Sequence, residues 1–364
     1  MKITGLQLFW MITLMSLGMT MVMTMTPAVS AAKQDMWISV ILSGCIVMII
    51  TFLATQTSKL YPTQNLIQLS QTILGKWLGK AVILIYFVQW LTILPIVMRQ
   101  FNDVIQTLIL PSTPKWAVIL IMLALTIYAT YSGGIETIAR CSEILGPIAV
   151  IMILLILIAS INNINLHYLL PVYADSGIAP IIKGSLAPAS YLGHSVEYLM
   201  LASFLQTPRQ GTRYAFAAIT TAWIVVLISV TMACATLGVQ LSSQMWYPFF
   251  EMSRKITMFG FIENLDPLPI VIWVSSVFIK LAIILFITSY GTAQFLNISK
   301  WRAMIWFIAP VIMLLSLVPR NINEAVTDYL LNYWIPVALP VNMLGIPLLL
   351  LTVGRIRQAF NRSA

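Results

Sequence analysis

Long apolar runs, separated by short polar stretches, set the pattern of this chain. A helical pass through a bilayer needs about 20 mostly apolar residues. The pattern predicts ten such passes, at about Leu6–Met25, Trp37–Thr57, Trp77–Leu108, Trp116–Tyr131, Glu143–Ile161, Gly184–Leu205, Tyr214–Val239, Leu268–Phe295, Trp301–Val318 and Trp334–Val353. Between the second and third lies an amphipathic connector, Tyr61 to Leu74, rich in Gln and Asn. Between the seventh and eighth lies Gln240–Pro267, with Trp246-Tyr247-Pro248-Phe249-Phe250 inside it. That stretch is too polar to span and too aromatic for a free loop, so it reads as an interfacial helix. No linker separates two domains. The chain reads as one transmembrane domain over 1–364, with five passes over about 6–161 and five over about 184–353.

Two features of the pattern stand out from plain membrane crossing. The sixth run carries Ser190-Tyr191-Leu192-Gly193-His194-Ser195-Val196-Glu197, a cluster of polar groups at bilayer depth. A charge there costs roughly 2.5–3.5 kcal/mol on the insertion scale, so it faces a cavity or a partner. Gly193 weakens the helix at that depth, and a break frees backbone groups for a ligand. The bland alternative is a packed helix with Glu197 paired inside the bundle. The first run carries Gly18 between Ser16 and Thr20. Interrupted helices at matching positions of two halves point to an inverted-repeat transporter site, and five passes per half give the halves opposite topology. Small-residue helix packing is the competing explanation for Gly18.

Composition agrees with the pattern. The chain is 60% hydrophobic and 9% charged, against about 25% charged for a soluble domain. The net charge of +9 does not signal nucleic acid, because the bases sit in short loops. With the N-terminus cytoplasmic, one face carries Lys2, Lys59, Lys76, Lys80, Arg140, Arg209, Arg213, Lys300, Arg302, Arg355, Arg357 and Arg362. The other carries Lys33, Lys115, Lys183, Arg254, Lys255 and Arg320, with most of the acids, among them Asp175, Glu251, Glu263, Asp266, Glu324 and Asp328. That bias fits both termini being cytoplasmic. Cys45, Cys141 and Cys234 are far apart, which fits neither a metal site nor a disulfide. Lys2, the first apolar run and Ala28-Val29-Ser30-Ala31 imitate a signal peptide, but the run is long for one and its glycine and threonines suit a working transmembrane helix. No catalytic triad, paired carboxylates beside a nucleophile or metal cluster supports an enzyme, and no cofactor is expected. Glu136 and Arg140 are spaced for an i,i+4 pair, and Arg99 is expected at the interface.

Lys280 falls about 12 residues into the eighth run, roughly 18 Å at 1.5 Å per residue and so near mid-membrane. A buried lysine there pairs or loses its proton. Glu197 is either a proton acceptor, the carboxylate that meets a ligand's ammonium, or half of a static pair. His194, three residues earlier, shares a helix face with it unless Gly193 ends the helix; packing is the plainer reading. The backbone around Gly18 could offer N–H groups to a ligand carboxylate. The methionines read as adaptable packing.

Four short motifs run in order along the chain. They are Gln34-Asp35-Met36-Trp37-Ile38-Ser39, Leu110-Pro111-Ser112-Thr113-Pro114, Gly134-Ile135-Glu136-Thr137-Ile138-Ala139-Arg140, and Phe261-Ile262-Glu263-Asn264-Leu265-Asp266 followed by Trp273. Together they resemble the signatures of the spore germination receptor B-subunits, the GerAB-like permeases of the amino acid/polyamine/organocation superfamily. The resemblance implies an all-α membrane protein with a LeuT-like 5+5 inverted repeat and broken helices 1 and 6. It implies a subunit that senses a small amino acid or similar nutrient germinant, working with an A subunit and a lipoprotein C subunit in the spore inner membrane. In that fold the third pass flanks the site, so Tyr86, Gln89 and Trp90 become a candidate side wall. Segments 1 and 6 vary within that family, so the ligand does not carry over; the residues of this chain give the candidate ligand set Ser16, Gly18, Thr20, Tyr86, Gln89, Tyr191, Gly193, His194 and Glu197. The eighth helix approaches the first where many relatives hold a sodium ion, so Lys280 either replaces that cation or pairs with Glu197. A proton-coupled amino acid symporter is the alternative function. A mainly scaffolding subunit is a third.

Overall fold

A computed structural model describes residues 1–173, 177–258, 262–263 and 267–363, without the side chains of 257–258, 262–263 and 361–363. Asp175, Asp266 and all but two residues of the Phe261–Asp266 motif lie outside the described residues.

The helices come in the predicted order: α1 (Gly5–Met23), α2 (Met25–Ala32), α3 (Met36–Leu60), α4 (Leu66–Leu74), α5 (Lys76–Leu108), α6 (Lys115–Gly133) and α7 (Ile135–Ala159). The second half holds α8 (Ile178–Leu192), α9 (Tyr198–Leu201), α10 (Pro208–Leu237), α11 (Val239–Gln244), α12 (Pro248–Arg254), α13 (Pro267–Phe295), α14 (Trp301–Ser316) and α15 (Ile346–Ser363). Eight helical runs among the described residues are long and apolar enough to cross a membrane. The other two passes are the 16-residue α14 and the interrupted path from α8 to Phe204. Local chemistry sets the starts. Thr4 and Gln7 form a reciprocal capping box on α1, and Asn65 and Gln68 do the same on the connector helix α4.

α1 is the centre of the bundle. It packs against α7, α10 and α13, and nearly all of its residues after Met11 are buried. It does not break at Gly18. The helix runs on past that point because Gly18 serves a close approach: a Cβ there would sit 2.5 Å from the Cβ of Ser276 on α13. The first pass is interrupted at Thr24 instead, where α1 ends and α2 begins. Pro27 has no N–H to give the Met23 carbonyl, so the ladder cannot continue there. Thr20 and Thr24 bond back to the carbonyls of Ser16 and Thr20, at 2.5 and 2.6 Å, which loosens the same turn.

The sixth pass is interrupted where the sequence places it. α8 ends at Leu192, Gly193–Glu197 is a tighter 3₁₀ turn, and α9 lasts only one turn. The tenth pass begins about ten residues earlier than expected, at Glu324, and runs as π-helix over Leu330–Gly345. Pro336 and Pro340 lie inside that stretch and remove two donors, which accounts for a widened turn there.

Two expectations are corrected. The stretch Gln240–Pro267 is not a single helix. Among its described residues are two short helices, α11 and α12, and Tyr247, Phe249 and Phe250 are buried against the bundle. Trp246, by contrast, stays partly exposed. Glu136 does not pair with Arg140. It accepts from the backbone N–H of Lys2 at 2.6 Å and lies 3.7 Å from the N-terminal ammonium. The chain start folds against this loop because Ile3 pairs with Leu205 and donates to the Phe204 carbonyl.

Candidate functional site

Four passes meet at the break in the sixth. Glu197 ends the 3₁₀ turn and is 1% exposed. Its carboxylate accepts from the Trp90 indole N–H at 2.9 and 3.0 Å and from the Gln89 amide at 3.4 Å. Gln89 in turn accepts from the Asn342 side-chain amide, and the Tyr86 hydroxyl donates to the Asn342 backbone carbonyl at 2.6 Å. Tyr86, Gln89 and Trp90 follow helical spacing on α5, so one face of the third pass presents all three. The structure brings together the three residues that the sequence suggests as a side wall. Asn342 closes the wall from the π-helical tenth pass.

Every donor to Glu197 is neutral. The nearest candidate cation, Lys280, is fully buried on α13 and has no hydrogen-bond partner. Its ammonium lies 5.3 Å from the centre of the Tyr191 ring, a cation–π arrangement that offsets part of the cost of burial. Among the described residues Lys280 and Glu197 make no ion pair within 4.0 Å. The static pair expected as one alternative is therefore absent. Lys280 is one turn from Ser276, so it shares the α13 face that meets α1 at Gly18.

Other polar groups of the region are also unsatisfied. Ser16 Oγ, Ser276 Oγ, Asn342 Oδ1 and both ring nitrogens of His194 are buried without partners. The His194 ring lies 5.1 Å from Trp334, whose indole N–H donates to the Ser190 carbonyl at 3.1 Å. Thr20 is different: its hydroxyl is consumed by the Ser16 carbonyl. Gly193 faces Met343 and Ile50, whose nearest atoms would lie 2.5 and 3.2 Å from an added Cβ. Ser195 accepts from the Thr51 hydroxyl at 2.9 Å, tying the break to α3.

Buried polar atoms are normally satisfied. Here an ammonium, two hydroxyls, an amide oxygen and an imidazole are buried together without partners. Of the residues expected there, the structure gathers Tyr86, Gln89 and Glu197 into one network, Tyr191 and Lys280 into a second, and His194 against Trp334. Ser16 and Gly18 lie on α1, with Gly18 opposite α13. Sequence reasoning missed Asn342, Trp334 and Gln100. Asn342 had a signal, a lone amide in a run of about twenty apolar residues. Gln100, which donates to the Tyr191 hydroxyl at 3.2 Å and the Ala325 carbonyl at 2.9 Å, had none beyond its burial.

The first motif now has a physical job. Asp35 is buried and accepts from the Tyr173 N–H at 2.9 Å, Gln34 donates to the Pro171 carbonyl at 3.1 Å, and Ser39 donates to the Ile181 carbonyl at 2.8 Å. It pins the loop before α8, and so fixes where the interrupted pass enters the bundle.

Comparison with known proteins extends this geometry. Among solved structures, the chain is similar to MhsT in complex with L-phenylalanine, with a TM-score of 0.69 and 15% identity over 94% of this chain and 87% of that one. It is also similar to Mhp1, a nucleobase-cation-symport-1 family transporter in a closed conformation with bromovinylhydantoin bound (TM-score 0.65, 14% identity, 98% and 90% covered). At that identity the likeness shows the fold alone, which is the LeuT fold. Among curated sequences it is 28% identical to spore germination protein YndE of Bacillus subtilis over 309 residues, 83% of this chain and 84% of the relative. It is 26% identical to spore germination protein KB of the same organism over 358 residues, 97% and 94% covered. The family model described as spore germination protein, the spore permeases, matches residues 2–325, and the chain belongs to that family.

Proposed function

We propose that this chain is the germinant-sensing subunit of a spore nutrient receptor, and that it binds a small amino acid or similar nutrient at the break in the sixth pass. One observation carries the reading: Glu197 and Lys280 are both buried, and neither has an oppositely charged partner in contact. A zwitterion would give each of them the charge it lacks, its ammonium toward Glu197 and its carboxylate toward Lys280. The solved relatives support a small organic ligand in this fold, since one holds L-phenylalanine and another bromovinylhydantoin. Ser16, Gly18, Tyr86, Gln89, Tyr191, Gly193 and His194 line or support the site in this reading, and Thr20 stabilises the turn that ends α1. Assembly with an A subunit and a lipoprotein C subunit, in the spore inner membrane with both termini cytoplasmic, completes the proposal. The charge bias of the loops supports that orientation.

A second reading, a proton-coupled amino acid symporter, is favoured by one specific feature. Lys280 lies on the α13 face that contacts α1, where its ammonium can stand in for a coupling cation. Uptake of labelled amino acids by the purified chain in proteoliposomes, with and without a pH gradient, separates the two. Saturable binding without uptake is expected for the sensor. Uptake driven by the gradient would replace that reading with the symporter, and no binding of any germinant would leave a scaffold.

A further inference from the structure

A cavity lies away from the central site, at the end of the bundle opposite both termini. It encloses about 300 Å³ and is bounded by Met23, Thr26 and Pro27 where the first pass is interrupted, Trp246 before α12, and Leu330 and Leu331 of the tenth pass. Its walls are mainly apolar. Its lining includes the hydroxyl residues Thr26, Ser30 and Thr327, and two side chains that carry N–H donors, Lys183 and Trp246. Among the described residues no hydrogen bond or ion pair engages either group. Among the described residues no carboxylate lines the cavity, and Asp328, next to the lining Thr327, is exposed.

We propose that this cavity is a binding site for a small anion with an apolar body, a carboxylate whose head meets Lys183 and Trp246 while its hydrocarbon part fills the space between α2 and the tenth pass. Charge complementarity decides the class. A mainly apolar chamber lined by one lysine and one indole, with no acid among its described lining residues, favours an anion over a cation and offers a zwitterion's ammonium only neutral hydroxyl acceptors. The volume is at the small end of ligand pockets, which run from about 300 to 1,000 Å³, and so excludes a long acyl chain. The position links it to the rest of the molecule. Leu330 lines the cavity and Trp334, one turn on, lies against His194 of the central site. An occupant would wedge between the two passes whose ends close over that site. The proposal stands whether or not the central site binds an amino acid.

The test uses the full chain in nanodiscs of neutral phospholipid, with phenylacetate as probe and phenylacetamide as its uncharged match. Calorimetry is expected to show phenylacetate binding about tenfold tighter than the amide, a typical size for one charge-assisted contact. Lys183→Gln, at an exposed position, should erase that preference, and Lys183→Arg should keep it. Leu331→Trp should fill the chamber and remove binding of both compounds. Binding that persists unchanged in Leu331→Trp, equal binding of acid and amide, or no binding of phenylacetate would each overturn the assignment. Loss of phenylacetate binding on Gly193→Leu, with the variant folded, would also overturn it by moving the probe to the central site. Oleate carried in the bilayer should not displace the probe; displacement would replace the soluble carboxylate with a membrane fatty acid.

Discussion

Arg99 and Lys280 are both basic side chains buried inside a membrane protein, and they are held in opposite ways. Arg99, 2% exposed, bonds Asp103 one turn along α5 at 2.8 Å and donates to the Pro319 carbonyl. Arg99, expected at the interface, is buried within protein, where this pair and carbonyl replace water. Lys280, 0% exposed, has a ring face and no acceptor. A charge that the protein neutralises belongs to the architecture. A charge that it buries and leaves open is retained at a cost, and the cost points to something that arrives later.

That contrast is most exposed to refutation through stability. Arg99→Met strands the buried Asp103 carboxylate and is expected to cost about 3–5 kcal/mol, seen as a large loss of abundance and a lower unfolding temperature. Arg99→Met with Asp103→Leu should recover most of it. Lys280→Met should move the other way, gaining up to about 3 kcal/mol because it removes an unmatched buried charge, while losing the ligand response. Equal destabilisation of both variants would mean that Lys280 is paired after all. Lys280→Arg should be tolerated poorly, since the guanidinium is larger and keeps its charge.

Smaller effects sharpen the same distinction. Trp90→Phe keeps the aromatic wall but takes the N–H from Glu197, and should cost about 1.5–3 kcal/mol, the range for a hydrogen bond to a charge. A germinant should offset part of that loss in a thermal-shift measurement, because its ammonium takes over the carboxylate. Gly193→Leu meets Met343 and Ile50 and should cost about 1–3 kcal/mol by overpacking, with the dose–response lost at near-normal abundance. A normal dose–response would reduce Gly193 to a packing contact. Gly18→Ala should be damaging to stability through the close approach to Ser276, without a specific loss of ligand affinity.

Much of the fold was legible because lipid imposes it. Run length alone located the ten passes, and the cluster from Ser190 to Glu197 marked the break in the sixth. The first pass misled because Gly18 has two readings in a sequence, a break or a contact. Only the neighbour on α13 decides between them, and Pro27 turns out to be the interrupting residue. The tenth pass began early because its first turns carry Glu324 and Asp328, which hydropathy counts against a span. At the site, α5 spacing revealed Tyr86, Gln89 and Trp90. Partners were not legible, since nothing along the chain says that Glu197 meets Trp90 rather than Lys280.

The central claim is that the buried, unmatched ammonium of Lys280 completes a ligand site at the break in the sixth pass. The direct measurement is equilibrium binding of a panel of labelled amino acids to the wild-type chain and to Lys280→Met in nanodiscs, with folding checked by unfolding temperature. The account predicts saturable binding of at least one amino acid to the wild type and its loss in a variant that is as stable or more so. Undiminished binding to Lys280→Met would contradict it.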